Sequence, residues 1–229
     1  MFQWLESFPW GFNRSDRSTW IDQHLPEHIK GGMCHAYNVQ NEKFMWEARS
    51  EPRVIDAFAK LRGTDKLLVS FDGMNFVLPC GTPLLQSQPW PHIDQNGGLL
   101  VMKGSTKLMP EFFKTHAGTM DRLTWGLMQW FENRGCEIQK VNAEAGDLIL
   151  WDYGTIYFTC IPTSQNTRAV IYACCTPLTI YNTDWPHDNL FTETSLAKLP
   201  IKDAGVLTRL FEEPLKTELV LRLVGKLPY

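Results

Sequence analysis

The chain has 229 residues, a net charge of −3 and a hydrophobic fraction of 44%. That apolar content excludes a mainly disordered chain, and the absence of a basic excess excludes a nucleic-acid surface as the organising feature. No run approaches the ~20 apolar residues that span a bilayer, and Glu6 and Pro9 interrupt the stretch where a signal peptide needs continuous apolar sequence. The expectation is one domain over 1–229, cytoplasmic, with neither membrane nor nucleic acid as partner.

Residues 1–40, rich in Trp, Pro, Gly and His, show no period and read as an irregular arm packed on the core. Helical signals begin near Asn41. Ser50 is placed to cap a helix whose apolar stripe is Val54, Ile55, Phe58 and Leu61, and Gly63 stands where a C-terminal glycine belongs. A strand is expected over 67–71, closed by Asp72-Gly73. Further strands are expected over 76–78, 99–102, 148–151, 156–160 and 169–175. One helix, over 122–131, interrupts them. Pro214 is expected to open a last helix within 212–229, with Leu215, Leu219, Val220 and Leu223 on one side and Gly225 after it. Strands flanked by helices without a βαβ rhythm predict a mainly β fold, an antiparallel sandwich or barrel with helices outside.

The six cysteines form no CxxC pair, which disfavours a zinc ribbon, and read as buried free thiols in a reducing compartment. Cys174 and Cys175 are adjacent in a strand-like run and should face opposite sides.

Three groups could carry chemistry. His92-Ile93-Asp94 puts an imidazole and a carboxylate on one face of an extended segment, where both can reach one metal ion. Two histidines and one carboxylate on one face of iron are the ligand set of non-haem Fe(II) oxygenases, although His-x-Asp alone is equally a polar pair at a loop mouth. Arg168 opens an apolar strand, and a guanidinium there needs an anionic partner, either an internal carboxylate or that of a ligand. The run from Gly146 to Asp152 reads as a strand buried on both faces, plain sheet core by itself.

Taken together these pieces resemble the phytanoyl-CoA dioxygenase family of Fe(II)/2-oxoglutarate enzymes, and most nearly its fungal branch of secondary-metabolite tailoring enzymes. The resemblance is carried by Asn41 to Trp46, Gly63 to Gly73, Pro91 to Gln95, Gly97 to Ser105, Gly146 to Asp152, Arg168 to Pro177, Trp185-Pro186-His187 and Leu227-Pro228-Tyr229. It implies a double-stranded β-helix, or jelly-roll. It also implies His92 and Asp94 as iron ligands, and Arg168 as the partner of the distal carboxylate of the cosubstrate 2-oxoglutarate. The implied reaction consumes O2, releases succinate and CO2, and hydroxylates or desaturates a small apolar metabolite.

Two departures accompany it. The second histidine ligand should follow Trp151-Asp152, at the position held here by Tyr157; His116 and His187 are the other candidates for that place. A phenol must lose a proton before it binds a metal, whereas neutral imidazole need not. Asp94 and Gly97 are also separated by only two residues where the family has a strand and loop, so the jelly-roll is expected to lack a strand. Three readings follow. One is a working oxygenase with Tyr157 or water in the third position. Another is an inactive homologue that partners an active dioxygenase, in a heterodimer or a homodimer. The last is a jelly-roll with other metal chemistry or none.

Overall fold

The computed structural model describes residues 1–28, 32–79, 99–116, 125–152, 154–159, 166–180 and 211–229. Its chain divides into two units. One comprises Met1–Ile29, Met33–Phe76 and Ala169–Tyr229; the other comprises Lys30–Gly32 and Val77–Arg168.

In the first unit, α1 (Phe2–Glu6) and two 3-10 turns occupy the N-terminal arm. Its aromatic side chains hold it in place. Trp4, Phe8, Phe12 and Trp20 are buried, with Trp4 edge-on to Phe8 and Phe2 edge-on to Phe76. The short strand β1 (Met33–Cys34) follows, then α2 (Lys43–Arg49) and α3 (Pro52–Arg62). Pro52 sits at the first position of α3, where its missing N–H costs nothing, and Gly63 ends the helix at φ 67°. Val54, Ile55 and Phe58 face the core as expected, but Leu61 is 64% exposed. Ser50 does not cap this helix. It is the last residue of the α2 turn, and its hydroxyl donates back to the Trp46 carbonyl.

Strand β2 (Leu67–Val69) pairs antiparallel with β8 (Cys175–Pro177), Leu67 opposite Pro177 and Val69 opposite Cys175. Strand β3 (Met74–Val77) lies between β1 and β7 (Arg168–Ile171). The apolar run expected as one strand over 169–175 is therefore two strands, broken at 172–174. The main chain turns there because Tyr172 N–H donates to Gly73 O, and Ser70 N–H to Cys174 O, serving two different sheets. Cys174 is exposed and Cys175 buried, on opposite sides as their adjacency requires. Helix α6 (Glu218–Leu223) closes the unit. It starts at Thr217, whose hydroxyl accepts from Val220 N–H, and not at Pro214, which lacks such a cap. Trp46, Phe58, Leu67, Val69, Cys175, Val220 and Leu223 form the core between α2, α3, β2, β8 and α6.

Two buried charged side chains stitch this unit together. The Arg49 guanidinium donates to the carbonyls of Gln40 and Asp72 and lies over the rings of Trp46 and Phe71. Burial pushes it down to about 10. The Glu42 carboxylate accepts from the N–H groups of Phe211 (2.9 Å) and Glu212 (3.0 Å), tying the C-terminal segment to the start of α2. Tyr229 hydroxyl donates to Leu67 O at the far end of that segment.

In the second unit, β4 (Leu99–Lys103) lies between β5 (Glu137–Val141) and β6 (Tyr157–Thr159), antiparallel to both. Helices α4 (Ser105–Thr115) and α5 (Trp125–Glu132) cover one face. The described part of α5 begins inside the expected helix; residues 122–124 lie outside the described residues. Met102, Phe112, Met128, Phe131, Ile156 and Phe158 are the core of this unit. The architecture is thus antiparallel sheets with flanking helices.

The expected strand over 148–151 is absent. Residues 148–151 form no strand with any of the described residues, and Leu148, Leu150 and Trp151 are 45%, 42% and 37% exposed. Apolar composition alone does not make a strand; it needs a neighbour for its main chain.

Candidate functional site

The candidate residue Tyr157 opens β6, and the residues around that strand fix its register. Gly104, at φ 91°, turns the chain from β4 into α4. Ser105 and Thr106, the first residues of that helix, then face the entry to β6. The fully buried Ser105 hydroxyl accepts from Ile156 N–H at 2.9 Å, while Ile156 O accepts from Met102 N–H at 2.8 Å. Thr106 and Thr155 join hydroxyls at 2.8 Å. Ahead of them, Asp152 Oδ1 accepts from Gly154 N–H at 2.7 Å and Asp152 O from Thr155 N–H at 2.9 Å, a tight turn closed on the aspartate.

With Ile156 held in this way, strand alternation sets the rest. Ile156 and Phe158 point into the core beneath α4 and α5. Tyr157, between them, lies on the other sheet face, opposite Val101 in register. It is half-buried, and the Trp151 ring lies 5.5 Å from its ring at a tilt of 59°. Tyr157 thus faces away from the helix-packed core.

Arg168 is the first residue of β7 and half-buried. His92 and Asp94 lie outside the described residues, as does His187. His116 ends α4, stacked on Phe112 at 4.4 Å with its Nδ1 2.8 Å from the Thr115 hydroxyl. It therefore belongs to the helical side of the sheet and is not brought to Tyr157. Among the described residues no group of three His, Cys, Asp or Glu side chains is placed to hold a metal ion. The buried thiols Cys34 and Cys175 are each pushed up to about 12 by burial, so both stay protonated and inert near neutrality. A small cavity in the first unit, lined by Leu5, Leu25, His28, Cys34 and Phe76, holds about 10 Å³, room for one water molecule.

Sequence reasoning missed Ser105 and Thr106. Both were on the page in Lys103-Gly104-Ser105-Thr106, and a glycine followed by two hydroxyl residues is a helix-start signal. It also missed Glu42 and Arg49, whose partners are main-chain groups that no side-chain pattern announces.

No protein-family model matches the chain, and no solved structure matches it. A curated protein of Aspergillus versicolor, the Ava biosynthesis cluster protein O, is 37% identical over 209 residues, covering 76% of this chain and 67% of the relative. No helix among the described residues is long and apolar enough to cross a membrane.

Proposed function

Since the chain belongs to the family of the Ava biosynthesis cluster protein O, we propose that it serves fungal secondary metabolism as an Fe(II)/2-oxoglutarate-dependent oxygenase on a jelly-roll frame. Its reaction is the hydroxylation or desaturation of a small apolar metabolite. The observation that supports this most is the placement of Tyr157. It stands on the sheet face opposite α4 and α5, at the position where the resemblance sets an iron ligand.

In donor type the set fits iron: the His92 imidazole, the Asp94 carboxylate and the Tyr157 phenol oxygen. Iron with 2-oxoglutarate supplies O2 activation for attack on a C–H bond. The chain's own residues do the rest. Arg168 holds the distal carboxylate of the cosubstrate with two parallel N–H donors. Trp151, beside Tyr157, shields the phenol from water and offers an apolar wall to the substrate. Tyr157 must release its hydroxyl proton to serve as a ligand, which makes assembly favour higher pH than a histidine site would.

A second reading, an inactive homologue that partners an active dioxygenase, draws support from the exposed apolar run 148–151. Anaerobic titration with Fe(II) and 2-oxoglutarate separates the two. An oxygenase develops the visible band of iron-chelated 2-oxoglutarate and loses it in His92→Ala, and Tyr157→His strengthens it. A well-folded protein with no band is the inactive homologue.

A further inference from the structure

Strand β6 is short, and Tyr157 is its first residue. The ladder with β4 pairs Thr159 with Leu99, Phe158 with Leu100 and Tyr157 with Val101. One residue earlier, a regular antiparallel rung would have Ile156 exchange both main-chain bonds with Met102. Here the rung is half main chain and half side chain. The Ile156 carbonyl accepts from Met102 N–H at 2.8 Å, and the Ile156 N–H donates to the Ser105 hydroxyl at 2.9 Å. Lys103 ends β4, and the turn at Gly104 brings Ser105 to this place. Both Ser105 and Ile156 are buried, so water is not at hand to replace the hydroxyl. An N–H stripped of its acceptor there costs more than the bond itself is worth. The next contacts hold the same corner. Thr106 and Thr155 join hydroxyls at 2.8 Å, and a Cβ at Gly154 would stand 3.1 Å from Asp152 Oδ1 and 3.4 Å from Thr106 Cγ2. The turn that leads into β6 therefore lies close against the first turn of α4.

We propose that Ser105 is a positioning residue of the candidate site: its hydroxyl stands in for a main-chain acceptor in the rung before Tyr157, and so sets the direction and depth of the phenol. The inference rests on the reading of Tyr157 as an iron ligand. Ser105 acts through the main chain of Ile156, one peptide unit from Tyr157. A productive site holds its groups to within about 0.5 Å. Residues that orient a ligand from behind are worth about ten- to a hundred-fold in metal affinity. A rung that depends on one side chain gives the sheet a single point at which the phenol can be loosened while the ladder from Tyr157 to Thr159 stays intact.

The test starts with the metal-free chain and Ser105→Ala, which removes the acceptor. Phe131→Leu, in α5, loosens the same core without taking a hydrogen bond from β6, and reports what a general loss of stability does. N-acetylimidazole acetylates accessible phenols, and mass spectrometry of the peptides reads Tyr157 beside Tyr229, which belongs to the other unit. Acetylation of Tyr157 should speed up about five-fold in Ser105→Ala, the factor for one ordinary hydrogen bond. Tyr229 should be unchanged, and Phe131→Leu should stay near the wild-type rate. Ser105→Cys offers a weaker acceptor in nearly the same shape, shifts the rate in the same direction, and serves if the alanine variant fails to fold. Equal acceleration in Phe131→Leu overturns the proposal, as does an unchanged rate in the Ser105 variants. Titration with Fe(II) and 2-oxoglutarate is the second measurement. The apparent Fe(II) dissociation constant should rise about ten-fold or more when Ser105 is replaced, and an unchanged constant also overturns the proposal. A well-folded wild-type chain that gives no band overturns the oxygenase reading instead, and acetylation then decides the role of Ser105 by itself.

Discussion

Leu67-Leu68-Val69 and Leu148-Ile149-Leu150 are nearly the same sequence with opposite fates. The first is a strand, buried and paired to β8 residue for residue. The second is exposed at Leu148 and Leu150 and has no strand partner among the described residues. The difference does not lie in propensity, since each run is two leucines and one β-branched residue. It lies in whether the chain brings another extended segment alongside, and Cys175–Pro177 does so for the first.

That contrast can be broken at its strongest point. Leu67→Ala removes a fully buried side chain from the core of the first unit and should cost about 3–4 kcal/mol by chemical denaturation, the range for buried leucines. Leu148→Ala, at an exposed position, should cost less than about 0.5 kcal/mol. Equal losses would mean the second run is as well packed as the first.

Glu42→Ala comes next in size. It strips the N–H groups of Phe211 and Glu212 of their acceptor and should cost about 1–2 kcal/mol. It should also change the pH profile. Burial holds the Glu42 carboxyl above its ordinary value of 4.5. The folded chain therefore keeps a proton that the unfolded chain has released. This contribution is fully present below about pH 4.5 and is lost as pH rises through the raised value. Denaturation midpoints from pH 4 to 7 should show that decline in the wild type and a flatter profile in the variant. Thr217→Ala removes the cap of α6 and should cost about 1 kcal/mol, the smallest of the losses in the first unit.

What was legible in the sequence follows the same contrast. The elements with local punctuation are where they were expected: α3 between Pro52 and Gly63, β4 after Gly97-Gly98, and the opposed sides of Cys174 and Cys175. Elements whose signals were masked escaped. Pro110 lies inside α4 and hides the spacing of Leu108, Met109, Phe112 and Phe113. Strand β5 is a polar edge with only Ile138 and Val141 to mark it. Tyr157 was singled out by the resemblance, and its sheet face follows from alternation alone. The hydroxyl pair that fixes it, Ser105 and Thr106, was not read, because its partners lie some fifty residues away along the chain. The strand expected over 148–151 failed for the converse reason: its own residues fit, and no neighbour for it stands among the described residues.

The stitching of Glu42 to Phe211 and of Leu67 to Tyr229 has a consequence in time. These contacts span 169 and 162 residues. During synthesis the helices and strands that precede residue 76 leave the ribosome long before α6 and Tyr229 exist. The second unit, almost one continuous stretch, has all its described elements in hand while the first still waits with Leu67 and Trp46 uncovered. Domains that emerge whole fold as they emerge, whereas the first unit waits until α6 and Tyr229 have been made. A chaperone that shields the early segment, or a slower rate of translation before it, will therefore change the yield of the first unit more than that of the second.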